Sequence, residues 1–213
     1  MKYNGRITLL LLSLITSCVF LIYGNNFNLY LLAFSVIHAG IAWIIGTLYD
    51  RYRFLSFNDY LTKIYNRRYG YKVIPRLISA AKMKNEPLAI LNIDINNFKY
   101  LNDNYGHACG DQILQNFCNI VLHTIRKNDL LIRWGGDEFL IILQNADRQI
   151  AEKLATRVNQ TVNMELKKVF KDIDINLSIG KSIFPKDGET FDKLVSIADN
   201  NMYEAKVLSK NRK

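Results

Sequence analysis

Hydrophobic residues are concentrated in two long runs at the start of the chain, Ile7–Tyr23 and Leu29–Leu48, and neither run contains a charged residue. The second run has 20 residues. At about 1.5 Å per residue, a helix of that length matches a hydrocarbon core of about 30 Å, and the first run is at the lower limit. The short uncharged segment Gly24–Asn28 separates them. The pattern therefore predicts a hairpin of two transmembrane helices.

Basic residues lie at the two chain ends of this predicted hairpin and are absent from the segment that connects its helices. Lys2 and Arg6 precede the first run, Arg51 and Arg53 follow the second, and the connecting segment has no Lys or Arg. Because basic residues are enriched on the cytoplasmic side of membrane proteins, we expect both ends of the hairpin in the cytoplasm. The predicted domains are therefore a transmembrane hairpin at residues 1–53 and a cytosolic domain at residues 54–213, joined by a short linker, Asp50–Asn58.

Two details of the first runs allow a second interpretation. Ile15–Cys18 loosely matches a lipoprotein cleavage sequence, so the first run could be a cleaved signal peptide, although the second run would still return the chain to the cytoplasm. His38 lies inside the second run, where it could serve as a sensor or make a contact between helices. We favour uncleaved helices and a packing role for His38.

After residue 54 the hydrophobic periodicity alternates between that of helices and that of strands. We predict helices in the later part of Tyr60–Met83 and at Asp111–Arg126, Ala146–Val169 and Phe191–Leu208. We predict strands at Leu88–Ile95, Asp129–Trp134, Phe139–Leu143 and Ile173–Phe184, the last as a strand pair or one long strand. Two of the strands are joined by a tight turn, which requires antiparallel pairing. An α/β fold with a ferredoxin-like or palm-like sheet therefore fits better than a doubly wound one.

Composition narrows the classes of function. Hydrophobic residues are 49% of the 213, which excludes a disordered chain. Both the cysteines and the histidines are few and widely separated, which argues against a disulfide scaffold and a zinc site: Cys18, Cys109, Cys118, His38, His107 and His123. The chain has 28 Lys and Arg against 19 Asp and Glu, a net charge of +9 that favours phosphate-bearing ligands.

Three acidic residues lie in or beside predicted hydrophobic strands, where burial of an unpaired charge would cost free energy. Asp137 and Glu138 follow Gly135 and Gly136, which we expect to supply positive φ angles in a tight turn. Asp94 lies near the end of a predicted buried strand. If the turn and the strand end converge, these carboxylates form an oxygen site suited to Mg²⁺. The alternative for Asp137 and Glu138 is a solvated hairpin tip.

The segment after Asp94 is rich in residues that bind nucleotides. It begins as a strand-to-helix turn with Lys99, where helix N–H groups and an ammonium can hold phosphate. In the polar stretch Asn102–Asp111, an Asn with an Asp could recognise guanine through an amide and a carboxylate, although Asp103 or Asp111 could instead cap a helix. Lys206 and Lys210 lie four residues apart on the last helix, where they could hold phosphates or neutralise the helix C-terminus.

These residues occur in an order that resembles the GGDEF family, the diguanylate cyclases. The matching segments are Asp59–Thr62 with Asn66–Arg68; Ile93–Lys99 with Asn102, Asp103, Gly106, His107, Gly110 and Asp111; Gly135–Phe139; Leu177–Gly180; and Ala198, Asp199 and Tyr203–Lys206. The resemblance extends over nearly all of Asp59–Asn211. An ordered set of this length is far more specific than one short motif.

The resemblance implies a magnesium-dependent condensation of two GTP molecules into cyclic di-GMP and pyrophosphate by a homodimer at the bacterial cytoplasmic membrane. It implies two Mg²⁺ ions per GTP site, with Mn²⁺ as a substitute. By position, it implies that Asp94, the Ile95 carbonyl and Asp137 bind metal, and that Asp137 with Glu138 deprotonates the attacking hydroxyl. It implies charge stabilisation by Lys99 and a triphosphate clamp of Lys206 and Lys210. It implies contacts to the substrate and its guanine by Asn102, His107 and Asp111.

The chain also departs from the family pattern and adds to it. Asn96 stands where many relatives have a second Asp, and Lys210 where Arg is common, which keeps the charge and loses the bidentate contact. Arg126 and Asp129 resemble the family's product-inhibition site, although they could also be a helix-terminal Arg and a strand-initial Asp.

Two other functions are possible on the sequence alone. A catalytically silent receptor for cyclic di-GMP is the main alternative, but such relatives usually lack the acidic residues that are present here. A nucleic-acid binder is disfavoured because no recognition motif is present.

Overall fold

The structure is a computed structural model that describes residues 4–23, 29–171, 173 and 175–210. The chain forms two compact units, Met1–Ser56 and Phe57–Lys213. The first unit contains helix α1 (Asn4–Tyr23) and most of helix α2 (Leu29–Phe57). Helix α2 is long and apolar enough to cross a membrane, whereas the apolar part of α1, Gly5–Phe20, is shorter. Within the described ranges, one helix rather than the predicted two meets the length and composition of a membrane span.

The linker that we predicted between the two parts is helical. Helix α2 continues beyond Leu48 to Phe57, through most of the predicted linker Asp50–Asn58. The predicted span ended with the uncharged run at Leu48, whereas the helix continues past it. Residues 49–57 contain neither Gly nor Pro, so nothing in them interrupts a helix.

Specific polar contacts join α1 and α2 within the first unit. The backbone N–H groups of Gly5 and Arg6 donate to the two carboxylate oxygens of Asp50, at 2.9 Å and 3.2 Å. A carboxylate at this position satisfies N–H groups that have no partner within α1. The Ser13 hydroxyl lies 3.1 Å from Nδ1 of His38. The structure thus gives His38 the contact between helices that the packing interpretation predicts.

The second unit has the predicted alternation of helices and strands. In chain order, it contains β1 (Tyr65–Asn66), α3 (Arg67–Lys84), β2 (Leu88–Ile95), α4 (Phe98–Tyr105), α5 (His107–Thr124), β3 (Leu130–Arg133), β4 (Glu138–Gln144), α6 (Arg148–Val169), β5 (Leu177–Phe184) and α7 (Phe191–Lys210). Strand β1 was not predicted, and β5 occupies only the later part of Ile173–Phe184. The short strand β1 was missed because two residues show no periodicity.

The five strands form one mixed sheet in the order β1-β3-β4-β2-β5. Strand β1 pairs in parallel with β3, and every other pair is antiparallel. The prediction of a mixed α/β sheet is therefore confirmed. Strand β2 is central, and all eight of its residues are buried.

Residues of β2 alternate between two hydrophobic clusters, one on each face of the sheet. Ala89, Leu91 and Ile93 pack in the cluster that includes residues of α5 and α6. Leu88 and Ile90 pack in the cluster that includes residues of α3 and α7. Because side chains alternate along a strand, Asn92 and Asp94 continue the face of Leu88 and Ile90, which is the face toward α7.

Side-chain caps and one glycine set the helix boundaries near the site. Asn66 accepts a hydrogen bond from the N–H of Tyr69 at the start of α3, and Asp147 caps α6 in the same way. Gly106, with φ of 80°, separates α4 from α5. Helix α5 consequently starts at His107, earlier than the predicted start at Asp111, and Asp111 lies inside the helix and does not cap it.

Gly180 allows α7 to approach the sheet closely. It pairs with Asn92 across β2 and β5. A Cβ atom at this position would lie 2.0 Å from the carbonyl oxygen of Ala198 and 2.2 Å from the backbone nitrogen of Met202. These are backbone atoms of α7, so a side chain at residue 180 would move the whole helix.

We expect Gly180→Ala to lower the free energy of unfolding by about 3 kcal/mol, because the added methyl group overpacks rigid backbone. Chemical denaturation of the purified chain measures this change. Gly136→Ala is the matched control, since a Cβ there meets no atom within 4 Å. Equal stabilities of the two variants would contradict the proposed close approach.

Candidate active site

The two acidic segments, far apart in sequence, meet at the end of the central strands. Asp94 on β2 lies directly opposite Glu138 on β4 in the antiparallel register. The backbone N–H of Ile95 donates to the carbonyl oxygen of Asp137 at 3.3 Å. The sheet thus brings together the three carboxylates that the sequence singled out.

The turn that carries these acids differs from the predicted one in its backbone. Among the described glycines only Gly106 has a positive φ, so Gly135 and Gly136 do not supply the positive φ angles that we expected. Residues 134–137 lie between β3 and β4, and loops of four residues can turn with negative φ angles alone. Gly135 is needed for space instead, since a Cβ there would lie 2.7 Å from Oε2 of Glu138.

Crowding raises the proton affinity of the turn acids. Burial raises the pKa of Asp137, and the neighbouring carboxylate of Asp94 raises it further. Burial also raises the pKa of Glu138, and Asp137, Asp94 and Asp199 add to that effect. Lys206 opposes both shifts. The site therefore favours any additional positive charge.

Lys206 forms an ion pair with Asp94. Its Nζ atom lies 2.8 Å from Oδ1 and 2.9 Å from Oδ2, and the side chains of Lys206 and Asp94 are 30% and 7% exposed. The contact with Oδ2 has hydrogen-bonding geometry, whereas buried Oδ1 has no hydrogen-bond donor. The Lys206 ammonium thus contacts both oxygens of this buried carboxylate, but Oδ1 accepts no hydrogen bond.

A cavity of about 470 Å³ opens between the acids and α7. It is lined by Asp94, Glu138, Asp199, Asn200, Met202, Tyr203, Lys206 and Val207. In the part of the chain that the structure describes, no group of three or more His, Cys, Asp and Glu side chains is arranged to hold a metal ion by itself. A cation here would need ligands beyond these side chains.

A hydrogen bond between β2 and α7, which we did not predict from the sequence, lies beside this cavity. The amide nitrogen of Asn92 donates to Asp199 on α7 at 3.0 Å. Asp199 and Lys206 are seven residues apart, which is about two turns, so both lie on one face of α7. This spacing, together with the polar residue inside an otherwise apolar strand, is the signal from which the contact could have been predicted.

Arg133, also absent from our predictions, supports the turn from the other side. Its Nε and NH2 atoms donate to the carbonyl oxygen of Gly136 at 3.1 Å and 2.7 Å, and NH1 donates to Asp59 at 2.8 Å. Asp59 also accepts from the backbone N–H and the hydroxyl of Thr62. These bonds connect the first residues of the domain to the turn that carries the acids.

The residues predicted to bind the nucleotide lie along α4 and the start of α5. Lys99 is exposed on the first turn of α4, and His107 and Asp111 are exposed on α5. Asn102 packs against Gly110, where a Cβ would lie 1.9 Å from its Oδ1 atom. Lys210 is the last residue of α7, and its side chain lies outside the described part of the structure.

Asn96, at a position where the resemblance led us to expect Asp, has structural partners. Its Oδ1 atom accepts a hydrogen bond from the Ser178 hydroxyl at 2.7 Å, and its N–H donates to the carbonyl oxygen of Asn176 at 2.8 Å. Asn96 therefore holds the end of β2 against the segment that leads into β5.

A second cavity, of about 310 Å³, contains the Arg126–Asp129 turn. Asp129 accepts a hydrogen bond from the N–H of Arg126 at 2.9 Å, and burial raises the pKa of its carboxyl group. Lys153 and Arg157 of α6, which we did not predict, also line this cavity. The site combines three cationic side chains with one carboxylate.

Comparisons with known proteins agree with this architecture. The family model "Diguanylate cyclase, GGDEF domain" matches residues 56–212. The diguanylate cyclase DosC of Escherichia coli is 37% identical over 159 residues, which are 72% of this chain and 34% of DosC. The response regulator PleD of Caulobacter vibrioides is 32% identical over 160 residues, 74% of this chain and 35% of PleD. The chain thus spans about a third of the length of these relatives.

Solved structures show the same fold. The GGDEF domain of TpbB (YfiN) from Pseudomonas aeruginosa has a TM-score of 0.63 and 31% identity, over 71% of this chain and 89% of that one. The coiled coil and GGDEF domain of DgcB from Caulobacter crescentus, solved in complex with c-di-GMP, has a TM-score of 0.74 over 83% and 94%. Its identity of 21% supports the fold alone. On the extent of the family match and the identity to its members, this chain belongs to the GGDEF-domain family of diguanylate cyclases.

Proposed function

We propose that the chain is a catalytically competent diguanylate cyclase, which condenses two GTP molecules into cyclic di-GMP and pyrophosphate. The observation that carries this proposal is the pairing of Asp94 with Glu138 across β2 and β4, with Asp137 adjacent and Lys206 in contact with Asp94. A catalytically silent domain has no need to keep several carboxylates crowded at one end of a sheet.

The donor set fits a divalent cation such as Mg²⁺ or Mn²⁺. The buried Oδ1 atom of Asp94 accepts no hydrogen bond, and burial and the carboxylate of Asp94 raise the pKa of Asp137. Asp94, Asp137 and the carbonyl of Ile95 would hold the cation, and nucleotide phosphates would provide the ligands that the protein lacks, as is usual for Mg²⁺. We propose two such cations per GTP. When bound, they neutralise phosphate charge and lower the pKa of a coordinated hydroxyl group.

The side chains around the cation site have separate roles in this proposal. Asp137 with Glu138 would help to deprotonate the attacking 3′-hydroxyl. Lys206, with Lys210 and Lys99, holds the phosphates. Phosphoryl transfer depends mainly on such positioning and charge neutralisation.

Recognition of the base and assembly of the dimer complete the site. Asn102 and Asp111 are suited to the edge of guanine, and His107 lies beside them at the start of α5. Each subunit of a homodimer would hold one GTP, with the two sites facing each other, because the reaction joins two nucleotides and gains from their proximity.

We further propose that α1 and α2 anchor the domain as a multi-pass hairpin in a bacterial cytoplasmic membrane, with the catalytic domain in the cytoplasm. The apolar length of α2 and the basic residues at both ends of the hairpin support this arrangement. Asp50 supports the pairing of the helices through its bonds to Gly5 and Arg6.

A second candidate function is a receptor for cyclic di-GMP, either alone or as product inhibition of the cyclase. The cavity at Arg126 and Asp129 favours it, because Arg126 can contact guanine or phosphate through two hydrogen bonds and Asp129 can accept from a base. In the receptor alternative, this cavity would bind the dinucleotide and the acidic site would catalyse no reaction.

The cyclase assay separates these alternatives. Purified full-length protein incubated with GTP and Mg²⁺ should form cyclic di-GMP, detected by chromatography of the nucleotides. Asp137→Asn should lower the rate by about a thousandfold, because metal-based charge stabilisation amounts to several kcal/mol. Asp192→Asn, on an exposed residue of α7, is the matched control and should keep wild-type activity. Absence of product from folded wild-type protein would contradict the cyclase assignment.

Product inhibition is tested separately with Arg126→Ala. The concentration of cyclic di-GMP that halves the initial rate should increase about tenfold or more, because one charge-assisted contact is lost. Arg76→Ala removes an exposed arginine of α3 and should leave the inhibition curve unchanged. An Arg126 variant with wild-type inhibition would exclude this site.

A further inference from the structure

Lys206 already occupies the position of a positive charge at the proposed metal site. Its ammonium group contacts both oxygens of Asp94, at 2.8 Å and 2.9 Å. A buried carboxylate is costly without a counter-charge, and Asp94 also repels Asp137 and Glu138. The same ammonium that we assign to the triphosphate is therefore the counter-ion of a proposed metal ligand.

The position of Lys206 is fixed by the packing of its helix. Gly180 lets the backbone of α7 lie directly on β5, and the bond from Asn92 to Asp199 fixes α7 along β2. Because Lys206 is two turns beyond Asp199 on the same face, these contacts direct it to Asp94. The ion pair thus follows from helix packing as well as from the reach of a flexible side chain.

We propose that Lys206 is a resident counter-ion that a divalent cation must displace from Asp94, and that loading of the site transfers Lys206 from this carboxylate to the nucleotide phosphates. This inference rests on the proposed function, since it concerns the same metal and substrate site. Lys206 would then weaken the binding of a divalent cation that arrives without nucleotide, in addition to binding phosphate.

Energetic coupling between metal and nucleotide follows from this transfer. A bare cation must compete with the ammonium for Asp94, whereas a cation that arrives with a triphosphate provides Lys206 with a new partner. Metal and nucleotide consequently strengthen each other's binding, and by linkage the effect is reciprocal. Without Lys206, a bare cation meets unpaired carboxylates and binds more readily.

The test measures Mn²⁺ binding to the full chain in detergent micelles without nucleotide, from the electron paramagnetic resonance signal of free Mn²⁺. Lys206→Met, which keeps an unbranched side chain only one atom shorter and removes the charge, should bind Mn²⁺ about tenfold or more tightly than the wild type. Lys82→Met is the matched control, since it removes a lysine from an exposed ion pair with Glu189 and should leave Mn²⁺ affinity unchanged. Asp94→Asn, alone or combined with Lys206→Met, should abolish the tight site.

A second titration contains a non-hydrolysable GTP analogue. The analogue should increase the Mn²⁺ affinity of the wild type much more than that of Lys206→Met, because the variant has no ammonium to transfer. If Lys206→Met does not fold, Lys206→Gln serves in both titrations. Equal Mn²⁺ affinities of the wild type and the charge-deleted variant, within about twofold without nucleotide, would overturn the inference. If the variant binds Mn²⁺ more tightly but the wild type makes no cyclic di-GMP, the counter-ion role of Lys206 is retained and the cyclase assignment is rejected.

Discussion

The buried carboxylate of Asp94 near the end of the central strand is the constraint around which the GGDEF domain is organised. A charge in this position needs a partner, and the fold supplies one through Lys206, from the last helix. That pairing requires α7 to lie on the β2 face of the sheet at a fixed register. The close approach at Gly180 and the bond between Asn92 and Asp199 meet this requirement.

The remainder of the site is supported by the opposite side of the turn. Arg133 connects the carbonyl of Gly136 to Asp59, at the beginning of the domain. The acids on the turn are thus held between Arg133 on one side and α7 on the other. Burial, together with the repulsion between neighbouring carboxylates, raises the pKa of Asp137 and of Glu138 in this frame. Lys206 offsets only part of this effect, as is expected where charged groups are placed for a ligand and not for stability.

Much of this arrangement could be predicted from the sequence because the signals are local. The apolar run Leu88–Ile95 ends in a buried acidic residue, and the turn at Gly135–Glu138 has little room for any structure except a strand connection. Pairing of the two then follows from the packing of a small sheet. The family resemblance added the roles, which no periodicity contains.

Other features depend on contacts between distant residues and were missed for that reason. Arg133 looks like an ordinary strand residue until Asp59 and Gly136 are seen beside it. Gly135 was assigned a conformational role, whereas its lack of a side chain gives space to Glu138. The helical continuation of α2 beyond Leu48 was not predicted, because the second span was bounded by its uncharged run, although residues 49–57 contain no helix-breaking residue.

The central claim is that Asp94 and Asp137 together bind the cation that holds a nucleotide's phosphates. Anomalous scattering from Mn²⁺ in crystals of the protein with a non-hydrolysable GTP analogue tests it most directly. The account predicts a peak within about 2.5 Å of carboxylate oxygens of both residues and next to the phosphates, with Lys206 moved from Asp94 to the triphosphate. A bound nucleotide whose Mn²⁺ lies away from these two carboxylates would contradict it.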